Sequence, residues 1–178
     1  MKNIFYPLLA STILLCSAMF VSPNQDFKIT DGYSIAFKSK DPSGIFKTMK
    51  GAIKFDEEDL ANSKFDLTFV VSSISTGNGM MNKKAQIEEW FDAAKYPEIK
   101  FTSTKVVKAG SDYMVTGKLT IKGITKEKNI PLKATKTGGN YTFSGNFTVN
   151  RMDFKVGHKS DAVPDIMNIS YSIPVLKK

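Results

Sequence analysis

Apolar and polar residues alternate along most of this chain. In Phe65-Asp66-Leu67-Thr68-Phe69-Val70-Val71-Ser72 the odd positions are apolar. The same alternation runs from Tyr113 to Lys122 and from Tyr141 to Asn150. Near the end, Ile169, Tyr171, Ile173 and Val175 alternate with Ser170, Ser172 and Pro174. A period of two sends successive side chains to opposite faces of a strand, so one face is buried and the other is wet. The wet positions are rich in Thr, Ser and Lys, which suits a solvated sheet face. Runs of this kind lie near 27–38, 51–56, 65–72, 99–107, 112–122, 127–137, 141–150 and 166–176. Turn-forming clusters separate them, among them Asp41-Pro42-Ser43-Gly44, Gly77-Asn78-Gly79 and Gly138-Gly139-Asn140. No strand–helix–strand repeat is present, so the sheet is predicted to be antiparallel.

One segment breaks the alternation. Between Asn82 and Lys95 the apolar residues Ile87, Trp90, Phe91 and Ala94 fall at i, i+3, i+4 and i+7, the stripe of a short amphipathic helix. Asn82 can cap its start, and Pro97 disfavours helix at Tyr96. A lone helix among strands can bury its stripe only against the sheet, which predicts Trp90 and Phe91 packed over one end of it. Eight antiparallel strands with one apolar face each suit a closed barrel, because closure removes unpaired edges. A two-sheet sandwich is the second arrangement. An eight-stranded barrel is just wide enough to be filled by its own side chains or to hold one slender ligand.

The inward register names the candidate lining. It comprises Phe65, Leu67 and Phe69 from one run, Tyr113, Val115, Gly117 and Leu119 from a second, and Tyr141, Phe143, Gly145 and Phe147 from a third. Trp90 and Phe91 join them from the helical segment. Glycine at 117 and 145 either lets a strand bend or leaves space inside. Arg151 continues the register of the third run. A guanidinium facing an apolar interior needs a carboxylate, a carbonyl or a ligand oxygen. Asp153, two residues on, is its nearest candidate partner. Arg151, Asp153 and His158 are thus the candidates for holding a polar head group.

With 178 residues the chain can bury the core of one domain. Residues 1–22 read as a signal peptide with a short linker, and 23–178 as the barrel domain. Lys2 precedes a mostly apolar run from Ile4 to Val21, and Cys16-Ser17-Ala18 supplies small residues for cleavage. That cleavage would remove the one cysteine, so no disulfide, cysteine nucleophile or thiolate metal site is expected. His158 is the one histidine, and no nucleophile elbow, Walker loop or dinucleotide glycine pattern occurs. No catalytic residue, metal or cofactor is therefore expected. The formal charge is +8, but the lysines are scattered with no long run, which argues against a nucleic-acid partner and leaves a transient membrane contact open.

Several stretches, in order, resemble the YceI-like family. They are Gly51-Ala52-Ile53-Lys54-Phe55-Asp56, Ser73-Ile74-Ser75-Thr76-Gly77-Asn78, Trp90-Phe91-Asp92 with Lys95-Tyr96-Pro97, Phe101-Thr102-Ser103-Thr104, Gly117 through Lys126, and Asn150-Arg151-Met152-Asp153-Phe154. The resemblance implies an all-β, lipocalin-like barrel exported to the bacterial periplasm or beyond. It also implies an isoprenoid or similar hydrophobic small molecule threaded through the barrel. Many members carry a histidine before the serine of the first strand, where this chain has Tyr33-Ser34. Many carry an Arg-Asp-x-His-Leu run before the helix, where Met81-Asn82-Lys83-Lys84-Ala85 stands here. The expected activity is binding without chemistry. The alternatives are a filled barrel acting in stress or surface interaction, and an accessory to a lipid-modifying enzyme.

Overall fold

The protein was analysed as a computed structural model, which describes residues 25–178. The expected signal peptide, 1–22, lies outside the described residues. The strands are β1 (Asp26–Ile29), β2 (Ser34–Lys38), β3 (Ser43–Phe46), β4 (Met49–Lys54), β5 (Lys64–Val70), β6 (Ile74–Ser75), β7 (Glu98–Ala109), β8 (Asp112–Ile121), β9 (Ile124–Thr137), β10 (Asn140–Asn150) and β11 (Ile166–Lys177). One helix, α1 (Gly79–Gln86), follows β6. Neighbouring strands run β1-β4-β5-β7-β8-β9-β10-β11, and β11 pairs back with β1. This is a closed, eight-stranded antiparallel barrel. The other three strands form a flap, β2-β3-β6, joined to the barrel along β11.

The first predicted run, 27–38, is two strands rather than one. Both lie along β11, with Ile29 opposite Val175 and Ser34 opposite Ser172. Five residues of the first run thus span three of β11, and the surplus loops out at Asp31-Gly32. The break matters because β1 then pairs on its far side with β4, whereas β2 pairs with β3. The barrel closes at the first junction and splays into the flap at the second.

Aromatic residues seal the end of the barrel that carries the β7–β8 and β9–β10 turns. Phe55 and Phe143 are completely buried and Phe27 almost so. The Phe55 ring meets Phe143, Tyr113 and Tyr141 edge-on, with centroids 5.1, 5.2 and 5.4 Å away. Phe27 meets Tyr141 at 5.4 Å in the same geometry. The Tyr113 hydroxyl donates to Glu57 Oε1 at 3.2 Å. Burial, reinforced by the Glu57 charge, pushes the Tyr113 phenol up to about 12.

The two inward glycines are sites of close approach rather than of empty space. Gly117 lies opposite Ser103, where the β7–β8 register shifts. A Cβ on Gly117 would sit 2.6 Å from the Phe101 ring and 2.7 Å from the Thr102 carbonyl oxygen. Curvature at the bulge brings that backbone in. Gly117→Ala is therefore expected to cost about 1–3 kcal/mol through overpacking, read from the urea midpoint. An unchanged midpoint would show that Phe101 yields freely. At Gly145 a Cβ would meet the Pro131 carbonyl and the Tyr171 hydroxyl. The β9–β10 ladder ends at the Lys133–Ser144 pair. Beyond it, Tyr171 crosses over Gly145 and donates to the Pro131 carbonyl at 2.6 Å. Tyr171 of β11 thus reaches across β10 and ties itself to β9.

Candidate functional site: an apolar tunnel closed at one end

Above the aromatic plug the barrel is hollow. An inner chamber holds about 880 Å³ of space free of atoms, solvent-open space included. Its walls are Phe65, Leu67, Phe69, Ile99, Phe101, Val115, Leu119, Phe143, Phe147 and further apolar residues of β8–β11. Tyr171 is the one lining residue with a polar side-chain atom, and its hydroxyl is bound to Pro131. An outer chamber of about 1100 Å³, counted in the same way, adjoins it. The two share Phe37, Phe46, Ile99, Ile121, Val149 and Ile169, which form a neck.

The outer chamber lies where the flap, α1, the turn after it and the 151–165 loop meet. Flap residues Phe37, Pro42 and Phe46 form one wall, and Met81, Lys84 and Ala85 of α1 another. Trp90 and Phe91 form a third. The predicted helix over 82–95 is displaced. Asn78, not Asn82, caps α1, accepting from the Met80 and Met81 amides. Asn82 instead accepts from the Thr76 amide and hydroxyl at 2.8 Å. The helix stops at Gln86, and Asp92 takes a left-handed conformation. At Ile87 the backbone turns extended, and the Phe91 and Ala93 amides donate to the Ala85 and Gln86 carbonyls. The Lys122 ammonium binds the Glu88 and Glu89 carbonyls, and the Gly157 amide donates to Glu89. These bonds tie the turn after α1 to the β8–β9 hairpin and to the loop after β10. Ile87 and Ala94, expected in the buried stripe, are exposed, while Trp90 and Phe91 are half-buried.

Trp90 packs in a tight slot. A Cβ on Gly157 would lie 2.8 Å from its six-membered ring. The Arg151 guanidinium sits 5.8 Å and the Lys84 ammonium 5.9 Å from the ring centroid. The Trp90 Nε1 is buried without a hydrogen-bond partner. Phe91 meets Phe46 edge-on at 6.1 Å.

Arg151 borders the outer chamber, but its donors are already taken. It is only 4% exposed. Nε donates to Pro164 O, Nη1 to Val156 O, and Nη2 to His158 O and Val163 O, all within 3.1 Å. Nη2 also pairs with Asp165 at 3.0 Å. The partner is thus Asp165 and not Asp153. Alternation fails here because the chain leaves the strand for a tight 3-10 turn, Arg151–Phe154, which directs Asp153 outward into solvent. His158 is also exposed, 3.4 Å from Glu89. The three head-group candidates therefore do not converge. Among the described residues, no three His, Cys, Asp or Glu side chains come together as a metal site.

Of the expected lining, Phe65, Leu67, Phe69, Val115, Leu119, Phe143 and Phe147 border the inner chamber, and Trp90 and Phe91 the outer one. Tyr113 and Tyr141 belong to the plug, and Gly117 and Gly145 border neither chamber. The neck residue Ile169 was visible in the alternation of the last run. Phe37 comes from the second half of the first run, and Phe46 from β3, a strand that no local pattern announces.

The profile of the YceI-like domain matches residues 25–175. A UPF0312 protein of Photorhabdus laumondii is 42% identical over 83 residues, 47% of this chain and 43% of that protein. One from Pectobacterium carotovorum is 34% identical over 119 residues, 64% of this chain and 62% of its own length. The chain thus spans about half of these curated relatives. Among solved structures, BcnA of Burkholderia cenocepacia superposes with a TM-score of 0.76 at 31% identity, over 81% of this chain and 96% of that one. A polyisoprenoid-binding domain from Saccharophagus degradans shares the fold, with a TM-score of 0.57 at 11% identity, over 87% of this chain and 98% of its own. The match over nearly the whole of the described chain, together with the barrel it shares with BcnA, establishes that the chain belongs to the YceI-like family.

Proposed function

We propose that this is an exported bacterial binding protein that carries or sequesters a long single-chain amphiphile of isoprenoid type, without chemistry. The observation that carries the reading is the tunnel: sealed at one end by aromatic rings, apolar through its inner chamber, and bordered by charged side chains only at the outer end. Such a shape accepts a hydrocarbon tail first and leaves a head group at the mouth. The polyisoprenoid-binding neighbour supports the ligand class, and the apolar leader-like run at 4–21 supports export. The hollow interior speaks against the filled-barrel alternative.

The test is to express the chain with its own leader, recover it from the periplasm and extract it with organic solvent for mass spectrometry. A stoichiometric long-chain lipid is expected. Val149→Phe, at the neck, is expected to lower the lipid recovered about tenfold or more, since each loss of about 1.4 kcal/mol is a factor of ten. Recovery of wild-type protein without lipid, and equal lipid in both proteins, are the results that would overturn the reading.

A further inference from the structure

Among the described residues, one cation at the mouth of the tunnel has no ion-pair or hydrogen-bond partner. Three lining residues of the outer chamber carry polar or charged side chains that could meet a head group: Thr76, Lys84 and Arg151. Thr76 Oγ1 is engaged with Asn82 and the Asn78 carbonyl. Arg151 is saturated by carbonyls and Asp165. The Lys84 ammonium has neither an ion pair nor a hydrogen bond among the described residues. Glu88 follows four residues later, but the helix has ended at Gln86, so the usual one-turn ion pair does not form. Lys84 is exposed, and its ammonium lies 5.9 Å from the centroid of the Trp90 ring, which lines the same chamber. That ring also bears the unpartnered Nε1 donor.

We propose that Lys84 is the head-group residue of this barrel and that its ligand carries an oxyanion, a phosphate or carboxylate, at the end that stays in the mouth. The inference rests on the tunnel reading above. A cation near an indole face keeps its outward N–H groups for an acceptor. A long apolar lining cannot tell an alcohol from its phosphate, so discrimination between them falls to the mouth. Binding the oxyanion there completes the lysine's hydrogen bonds without burying a new charge in the inner chamber.

The test uses equilibrium dialysis of delipidated protein with geranylgeranyl phosphate, geranylgeraniol and inorganic phosphate. Wild type is expected to bind the prenyl phosphate about tenfold more tightly than the alcohol, the scale of one charged hydrogen bond at a partly exposed site. Lys84→Met should abolish that preference, through a loss of prenyl phosphate affinity much larger than any loss of alcohol affinity. Lys84→Arg should retain it, and so should Lys83→Met, which alters a neighbouring lysine outside the lining. Inorganic phosphate should neither bind measurably nor compete, because the tail supplies most of the affinity. A preference that survives in Lys84→Met, or inorganic phosphate that competes fully, overturns the inference and leaves the tunnel reading intact. Failure of the alcohol itself to bind wild type overturns both.

Discussion

Phe55→Ala is expected to destabilise the domain by about 3–5 kcal/mol, the usual cost of emptying a large aromatic site in a core. Phe55 is fully buried and its ring contacts Phe65, Tyr113, Tyr141 and Phe143. Edge-to-face pairs add about 0.5–1.5 kcal/mol each beyond burial, so the loss should fall at the upper end of that range. The neighbouring rings are held by Phe27 and by backbone ladders, which limits their collapse into the void. Against a total stability of about 5–15 kcal/mol for a natural domain, this is a large fraction. Urea unfolding measures it directly. A loss below about 1 kcal/mol would mean that the plug relaxes and does not behave as a packed core. The variant should also join the tunnel to the far end of the barrel, so that a ligand with a longer hydrocarbon chain is admitted.

Arg151→Met should cost a similar amount by a different route. The substitution keeps an unbranched side chain of comparable length but removes every donor. It leaves the carbonyls of Val156, His158, Val163 and Pro164 unsatisfied and Asp165 without its cation. Breaking a buried pair by deleting one partner costs about 3–5 kcal/mol, most of it in the groups left behind. Because those groups all lie in 156–165, the effect should be concentrated there. Hydrogen exchange should show the Val156 and Gly157 amides losing protection before the barrel strands do. Arg151→Lys is expected to rescue only in part, since one ammonium cannot reach carbonyls arranged around a planar fork. Stability within about 1 kcal/mol of wild type in Arg151→Met would show that the loop is held by its backbone contacts alone.

These two residues differ in how far the sequence foretells them. Phe55 closes a short apolar run, and its burial is plain from composition, but its place at the hub of a plug depends on strands far apart in sequence. Arg151 stands in the inward register of β10, so a buried guanidinium was legible. Its partners were not, because the register ends in a 3-10 turn and the acceptors arrive from residues 156–165.

The eight strand runs, their antiparallel pairing and the closed barrel follow from local information: alternation at period two, turn residues between runs, and the absence of crossover helices. The inward faces of β5, β8 and β10 follow from the same alternation. Other features depend on contacts between distant segments. The first run divides because its halves have different outer neighbours, β4 and β3. The helix stops at Gln86, and the segment after it is tied down by Lys122 and Gly157, residues distant in sequence. Gly117 and Gly145 admit the close approach of Phe101 and Tyr171. The mouth of the tunnel is built from the flap, α1 and the 151–165 loop, segments that meet only after the barrel has closed. Alternation specifies which side of a strand faces inward, but it carries no information about which distant atoms will fill that side. Packing among those atoms decides where the barrel is solid and where it is hollow.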